Sequence, residues 1–173
     1  ILIDSGFSSS GLSKSFAKQL GLKPSGRLRV AGTVGAQAGA LVSGVDVQIG
    51  TLSLSNLTVL VTAMGRSMPP IVGRELFNGA VVDIDYPGKR IAFHDPARYQ
   101  PEPEARRIPL LPGMLVEASV EGLPPALFSI DTGGAGTLAL FGSFVEKNGL
   151  LEQRSPRTRQ RSAGIGGSRV ATI

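Results

Sequence analysis

Two short stretches of this chain repeat each other. Ile3-Asp4-Ser5-Gly6 returns far downstream as Ile130-Asp131-Thr132-Gly133, and the similarity continues beyond each of them. Ala17-Lys18-Gln19-Leu20-Gly21-Leu22 is answered by Val145-Glu146-Lys147-Asn148-Gly149-Leu150 with one residue inserted, and Ala31-Gly32-Thr33-Val34-Gly35 by Ala163-Gly164-Ile165-Gly166-Gly167. Three matches in one order imply two copies of one structural unit.

In each copy an apolar strand runs into the Asp, a loop of small residues comes after it, and a short amphipathic helix comes next. Leu12, Phe16 and Leu20 fall on one helical face, with Ser8 to Ser10 as N-cap candidates and Gly21 as the stop; Leu138, Phe141 and Val145 form the equivalent stripe, and both stripes read as core packing. Elsewhere the pattern is that of strands. Leu41, Val45, Val47 and Ile49 nearly alternate with polar or small residues, Gly50-Thr51 turns the chain, and a change of parity between Leu54 and Leu57 predicts a bulge near Asn56. Val81 to Asp85 and Arg90 to Phe93 form a hairpin around Tyr86-Pro87-Gly88-Lys89, and Leu115 to Val120 returns as Ala126 to Ile130, which delivers Asp131 from a strand end.

With 23 Gly, 12 Pro and 42% hydrophobic residues, the balance favours a packed, β-rich fold punctuated by turns. Pro96, Pro101 and Pro103 among charged residues read as a linker. The expected organisation is a first unit at 1–95, a linker at 96–107 and a second unit at 108–173. Ile1-Leu2-Ile3 reads as the end of a strand that opens upstream, and residues 169–173 as a strand interrupted partway, so the second unit is expected to be incomplete.

Several chemistries are disfavoured. The absence of cysteine removes disulfides, thiol nucleophiles and thiolate metal sites. His94, the single histidine, sits in a His-Asp-Pro turn and reads as a surface residue, so neither a metal site nor a Ser-His-Asp triad is expected. The net charge of +5 leans on Arg154, Arg157, Arg159 and Arg161, in a segment with the composition of a solvated loop. Few aromatics accompany it, and nucleic acid is not an expected partner. No apolar run is long enough for a membrane span.

One Asp-Thr-Gly or Asp-Ser-Gly is a weak signal; two are a stronger one. Packed about a pseudo-twofold axis, the strand ends would meet and bring the carboxylates of Asp4 and Asp131 together. Like charges that close hold one proton between them and titrate as a unit. One carboxylate then takes a proton from a water molecule while the other protonates a scissile carbonyl oxygen, a route to peptide hydrolysis without metal, cofactor or covalent intermediate. Gly6 and Gly133 would let the backbone pass close to the carboxylates, and Ser5 and Thr132 supply hydroxyls for bonds between the loops.

On these residues the chain resembles the retropepsin-like aspartic proteases, in particular bacterial members that fuse two units in one chain. The resemblance is carried by Ile1 to Gly6, the helix through Gly21-Leu22, the glycine-rich stretch Ala31 to Gly39, and Ile71-Val72-Gly73-Arg74-Glu75-Leu76-Phe77, which is similar to the element that crosses behind the catalytic loop in this family. It implies an acid-protease barrel, mainly β with short helices, built from two pseudo-twofold lobes. It also implies catalytic Asp4 and Asp131, a cross-loop grip through Ser5 and Thr132, and flaps over a peptide or protein substrate at Gly32, Thr33, Val34 and Gly35 and at Gly164, Ile165 and Gly166. The residue after the motif is usually small in the family; here it is Phe7 in one copy and Gly134 in the other. The lobes are expected to pair within one chain, with a homodimer as the other arrangement, and relatives of this kind often work outside the cytoplasm.

Two other functions fit parts of the pattern. A peptide-binding module would keep the cleft and lose the chemistry. An actin-like ATPase would use Asp131-Thr132-Gly133-Gly134-Ala135-Gly136-Thr137 as a phosphate loop, although the apolar spacing after it is helical and the first copy lacks the second glycine.

Overall fold

The computed structural model describes residues 1–173 except 33, 66, 67, 137, 153, 155–158 and 173. Its elements are β1 (Leu2–Ile3), β2 (Gly11–Ser13), α1 (Lys14–Gln19), β3 (Gly26–Ala31), β4 (Ala36–Ile49), β5 (Leu52–Thr62), β6 (Ile71–Val72), α2 (Glu75–Gly79), β7 (Val81–Asp85), β8 (Arg90–His94), β9 (Leu115–Ala118), β10 (Ala126–Ser129), α3 (Gly142–Lys147), β11 (Arg159–Gly164) and β12 (Gly167–Thr172). The fold is mainly β with short helices, as the composition implies. Six strands form one sheet in the order β1-β6-β2-β5-β4-β3, and β7–β8, β9–β10 and β11–β12 are separate two-stranded pairs. Among the described residues these pairings leave β1 and β3 as sheet edges and do not close a barrel.

The sheet order explains how the Asp4 loop is held. β6 lies between β1, to which it is parallel, and β2, to which it is antiparallel, so the chain joining β1 to β2 must arch over the end of β6. Gly73, the next residue, sits under that arch: a Cβ there would lie 2.7 Å from the Phe7 carbonyl oxygen and 2.9 Å from a Glu75 carboxylate oxygen. Only glycine lets the two backbones approach this closely.

The core is organised around β5. Its first half is partly exposed, whereas Val59, Leu60, Val61 and Thr62, in the stretch that runs between β4 and β2 in the sheet, are buried. Leu12, Ala17, Val42, Val59 and Val61 form the buried cluster, with Phe16, Leu22, Ala40, Val45 and Leu57 packed around it. Each fully buried Val or Leu contributes about 1.5–3 kcal/mol. The predicted bulge is present: β5 places an extra residue at Asn56, whose φ is 57° and whose N–H donates to Asp46 Oδ1 at 2.8 Å. A second irregularity lies opposite, between Val42 and Val45, where Gly44 adopts a φ of 77°.

The helices start later than their apolar spacing suggests. Leu12 belongs to β2, and Ser13, not Ser8 to Ser10, caps α1, its hydroxyl accepting from the Phe16 N–H at 3.2 Å. Leu20 is the C-cap and 55% exposed. In the second copy Leu138 and Phe141 precede the body of α3 and are 56% and 71% exposed, so that stripe is not core. The stops are as the glycines indicate. The Gly21 N–H donates to Lys18 O and the Leu22 N–H to Ala17 O; the Gly149 N–H donates to Glu146 O and the Leu150 N–H to Val145 O, the same two-bond termination in both copies.

The β7–β8 hairpin forms around residues 86–89, with His94 ending β8 rather than lying in the turn beyond it. The arginine segment is not simply a loop. Arg159 and Arg161 lie in β11, Arg154 pairs with Glu121 at 2.9 Å, and Arg157 is outside the described residues. Phe128 of β10 and Phe144 of α3 meet edge to face at 6.2 Å. No helix among the described residues is long and apolar enough to cross a membrane.

Candidate functional site

The two repeated motifs sit at strand ends and turn in the same way. The Asp4 N–H donates to Val72 O of β6 at 3.0 Å, and the Ile130 N–H to Met114 O at 2.8 Å, so each approach to an Asp is anchored on a neighbouring segment. Each Asp carbonyl then accepts from the residue three along: Phe7 N–H to Asp4 O at 3.2 Å, Gly134 N–H to Asp131 O at 3.3 Å.

The turns interlock through their hydroxyls. Ser5 Oγ donates to Ile130 O at 2.6 Å and accepts from the Thr132 N–H at 3.0 Å. Thr132 Oγ1 donates to Ile3 O at 2.9 Å and accepts from the Ser5 N–H at 3.1 Å. Each hydroxyl thus fills the same two roles toward the other loop, and the four bonds are related by a local twofold. Ser5 is fully buried, which excludes water as a substitute partner for its hydroxyl.

The interlock carries each glycine onto the opposite carboxylate. A Cβ at Gly6 would lie 2.7 Å from Asp131 Cγ, and one at Gly133 would collide with the Asp4 carboxyl group. Real Cβ atoms do not approach so closely, so both positions require glycine for the carboxylates to be where they are. The Gly133 N–H also donates to Asp131 Oδ1 at 2.9 Å.

The carboxyl groups are not in equivalent surroundings. Asp4 is half-buried, and its Oδ1 is buried with no hydrogen-bond partner among the described residues, whereas Asp131 is exposed. Burial above all, then the negative charge of Asp131 and a hydrogen bond with its side chain, raise the Asp4 carboxyl above the ordinary 3.8; backbone N–H groups of Gly6 and Phe7 oppose the rise.

A second set of contacts supports the Asp4 loop and has no counterpart among the sequence expectations. Glu75, at the start of α2, accepts from the Ser10 N–H at 2.8 Å, and Ser10 Oγ accepts from the Gly73 N–H at 3.2 Å. The Arg74 N–H donates to Phe7 O at 3.0 Å. The residues just after β6 therefore clamp both the middle and the end of the loop. The partners lie too far apart in the chain for a local motif to reveal them.

The glycine-rich stretches are hairpin tips, and they meet. Residues 32–35 join β3 to β4, closed by the Gly32 N–H donating to Gly35 O at 2.7 Å. Gly164 pairs with Gly167 at the tip of β11–β12. A Cβ on Gly32 would lie 2.6 Å from the Ile165 Cβ, and one on Gly35 3.4 Å from Gly166 O. Val34 and Ile165 are half-buried, and Thr33 is outside the described residues.

Other features lie apart from this centre. A hollow of about 380 Å³ beside α1, lined by Lys14, Lys18, Leu22, Val42 and Val61 among others, includes neither Asp. The rings of His94 and Tyr99 meet at a tilt of 43°, their centroids 4.9 Å apart. Among the described residues no three His, Cys, Asp or Glu side chains gather to hold a metal ion.

Residues 1–76 match a family model described as aspartyl protease. The match takes in the Asp4 loop, the β3–β4 hairpin, β6 and Gly73, and ends before Asp131. No curated protein matches the chain.

Proposed function

We propose, from the premise that this chain belongs to the retropepsin-like aspartic protease family, that it is an endopeptidase whose Asp4 and Asp131 activate one water molecule between them. The observation that carries this reading is the reciprocal interlock of Ser5 and Thr132, which sets each glycine against the opposite carboxyl group and leaves Asp4 with a raised affinity for a proton.

The asymmetry assigns roles. Asp4, the more buried, carries the shared proton and donates it to the scissile carbonyl oxygen. Asp131, the more exposed, takes a proton from water as that water attacks the carbonyl carbon. The product of this step is a neutral gem-diol with the peptide C–N bond still intact. Transfer of the proton from Asp131 to the amide nitrogen then makes it a leaving group, the C–N bond breaks, and a diol proton returning to Asp4 restores the starting state. Gly6 and Gly133 provide the clearance and the hydroxyl interlock fixes the separation. The hairpin tips at 32–35 and 164–166 serve as flaps over an extended substrate, and the lobes, 1–95 and 108–173, pair within one chain.

The reciprocal contacts of the Asp131 loop with Ser5 and the Asp4 carboxyl group favour this reading over a phosphate loop, since they commit the loop to protein groups of the other copy rather than to a bound phosphate. The test is cleavage of an unfolded protein between pH 3 and 7 by the chain and by Asp4→Asn and Asp131→Asn. Loss of cleavage in both variants is expected. Equal cleavage by all three refutes the assignment, and peptide binding without cleavage by any of them makes the protein a peptide-binding module. Sedimentation in the active state separates a single-chain enzyme from a homodimer.

A further inference from the structure

From Ser5 to Arg74 the chain carries seven cations, Lys14, Lys18, Lys23, Arg27, Arg29, Arg66 and Arg74, and a single acid, Asp46, whose carboxylate already accepts from the Asn56 N–H at 2.8 Å. The sheet register brings four of these cations to one face. Arg27 lies opposite Ala40 and Arg29 opposite Ala38 in the β3–β4 ladder, and Ala40 lies opposite Val61 in β4–β5. Residues directly opposite each other in a ladder share a face, so both arginines stand on the face that presents Ala40 and Val61. α1 packs on that same face, where its Ala17 joins Val42 and Val61 in the buried cluster, and it carries Lys14 and Lys18 there. All four cations are exposed, and among the described residues none is paired with a carboxylate.

The hollow of about 380 Å³ opens on this face, with Lys14, Lys18, Leu22 and Ala40 in its lining. Ala17, Val42 and Val61 also line it and are only 4–6% exposed, so its apolar wall belongs to the core while the cations beside it are in solvent. Neither lysine is a requirement of the helix. Lys14 is the first residue of α1, where the partial positive charge of the helix start disfavours a cation. In the second copy of the repeat, the residue that answers Lys18 is Glu146, of opposite charge.

We infer that this face docks an acidic segment of a partner protein, which places an apolar side chain in the hollow and its flanking carboxylates on Lys14 and Lys18 and on Arg27 and Arg29. Charge complementarity selects the acid, and the apolar wall selects the anchor. A lipid surface fits less well, because a membrane-binding face carries its apolar groups outermost, and here they lie below the cations. Nucleic acid fits less well too, since no aromatic side chain lines the hollow to stack on a base. The surface includes neither Asp4 nor Asp131, so it stands apart from the peptidase reading.

The experiment uses the full chain and a fluorescent peptide with adjacent leucines between runs of glutamate, its binding followed by anisotropy. Binding should weaken as salt rises, because exposed charges are screened, and should fall when the leucines are changed to serine. Lys14→Glu with Lys18→Glu should weaken it by about tenfold, the scale of exposed ion pairs turned repulsive. Arg106→Glu with Arg107→Glu, the same change of net charge at exposed positions outside the sheet, should leave it within about twofold. Ala40→Leu, which fills the hollow and adds no charge, should weaken the leucine peptide more than the serine one. Thermal melts check that each variant folds, and the lysine pair, both exposed, keeps the test decisive if Ala40→Leu does not. No binding of the leucine peptide, equal binding of the leucine and serine peptides, or equal loss in the two charge-reversed variants overturns the inference. Displacement by an excess of an uncleavable, hydroxyl-bearing peptide puts the probe between Asp4 and Asp131 and overturns it as well. Sedimentation with phosphatidylserine vesicles in the absence of peptide binding assigns the face to a membrane instead. A chain that binds the probe as expected yet cuts no peptide refutes the proposed hydrolysis and leaves this surface standing.

Discussion

Replacing Ser5 with Ala tests whether the hydroxyl interlock is what holds the two Asp loops together. The residue is fully buried, and its hydroxyl serves the Ile130 carbonyl at 2.6 Å and the Thr132 N–H at 3.0 Å. Its removal leaves an acceptor and a donor without partners. At about 1–3 kcal/mol for a stranded group cut off from water, and less for the Ile130 carbonyl on an exposed residue, the cost is roughly 1–4 kcal/mol, a large share of the stability of a small domain. Thr132→Val strands the Ser5 N–H, on a fully buried residue, and the Ile3 carbonyl, on a half-buried one, so about 1–3 kcal/mol is expected. If the four bonds act as a unit, the double variant should cost less than the sum of the singles by about 1 kcal/mol, because the first substitution already loosens the second pair. Ser5→Thr retains the hydroxyl and controls for its loss. Urea unfolding monitored by two spectroscopic probes measures the stabilities, and peptide cleavage should fall by about a hundredfold, the usual result of a displacement near 1 Å at reacting groups. A Ser5→Ala cost below about 0.5 kcal/mol, far under the value for one stranded group, together with strict additivity, would refute the reasoning.

The same geometry sets three further outcomes. Because burial and Asp131 raise the Asp4 carboxyl above 3.8, the folded chain binds this proton more tightly than the unfolded chain; the stability it contributes is complete below the unfolded value and is lost as pH rises through the folded one. Asp4→Asn should therefore raise the Tm relative to wild type at pH 7 more than at pH 3, and thermal melts showing the same difference at both pH values would count against the assignment. Gly6→Ala, whose new methyl would fall 2.7 Å from Asp131 Cγ, should separate the carboxyl groups and remove most cleavage, seen as a drop in kcat in a fluorogenic peptide assay. Thr62 is fully buried and its hydroxyl has no hydrogen-bond partner among the described residues, so Thr62→Val should be neutral or stabilising by about 0.5–1 kcal/mol in urea titration.

The sequence is most informative where a local rule acts alone. The repeated Asp motif, the Gly21 and Gly149 helix stops, the Asn56 bulge and the residue 86–89 turn each depend on a few neighbouring residues, and each is readable. Apolar spacing fails where two periods coincide. Leu12 suits a helical stripe with Phe16, yet β2 claims it, because Gly11 to Ser13 fill a slot between β5 and β6 that nothing local announces. Leu138 and Phe141 also fall at a helical spacing, yet without burial, so the pattern survives where the packing does not. The Ser10–Glu75 clamp is invisible for another reason: its partners belong to segments joined only by the sheet order. Arg159 and Arg161 read as solvated loop because charge masks a strand whose partner, β12, lies beyond a glycine turn.

The loops that grip each other are both encoded once, in one polypeptide. In an assembly of two identical subunits every substitution is made twice, so an alteration that improves one half of the centre is imposed on the other whether or not it is tolerated there. This chain is released from that constraint. Ser5 faces Thr132, and Phe7 has Gly134 as its counterpart, without either member having to suit both places. A covalent join thus gives the molecule left and right halves that are free to differ, a freedom that symmetry-related copies lack.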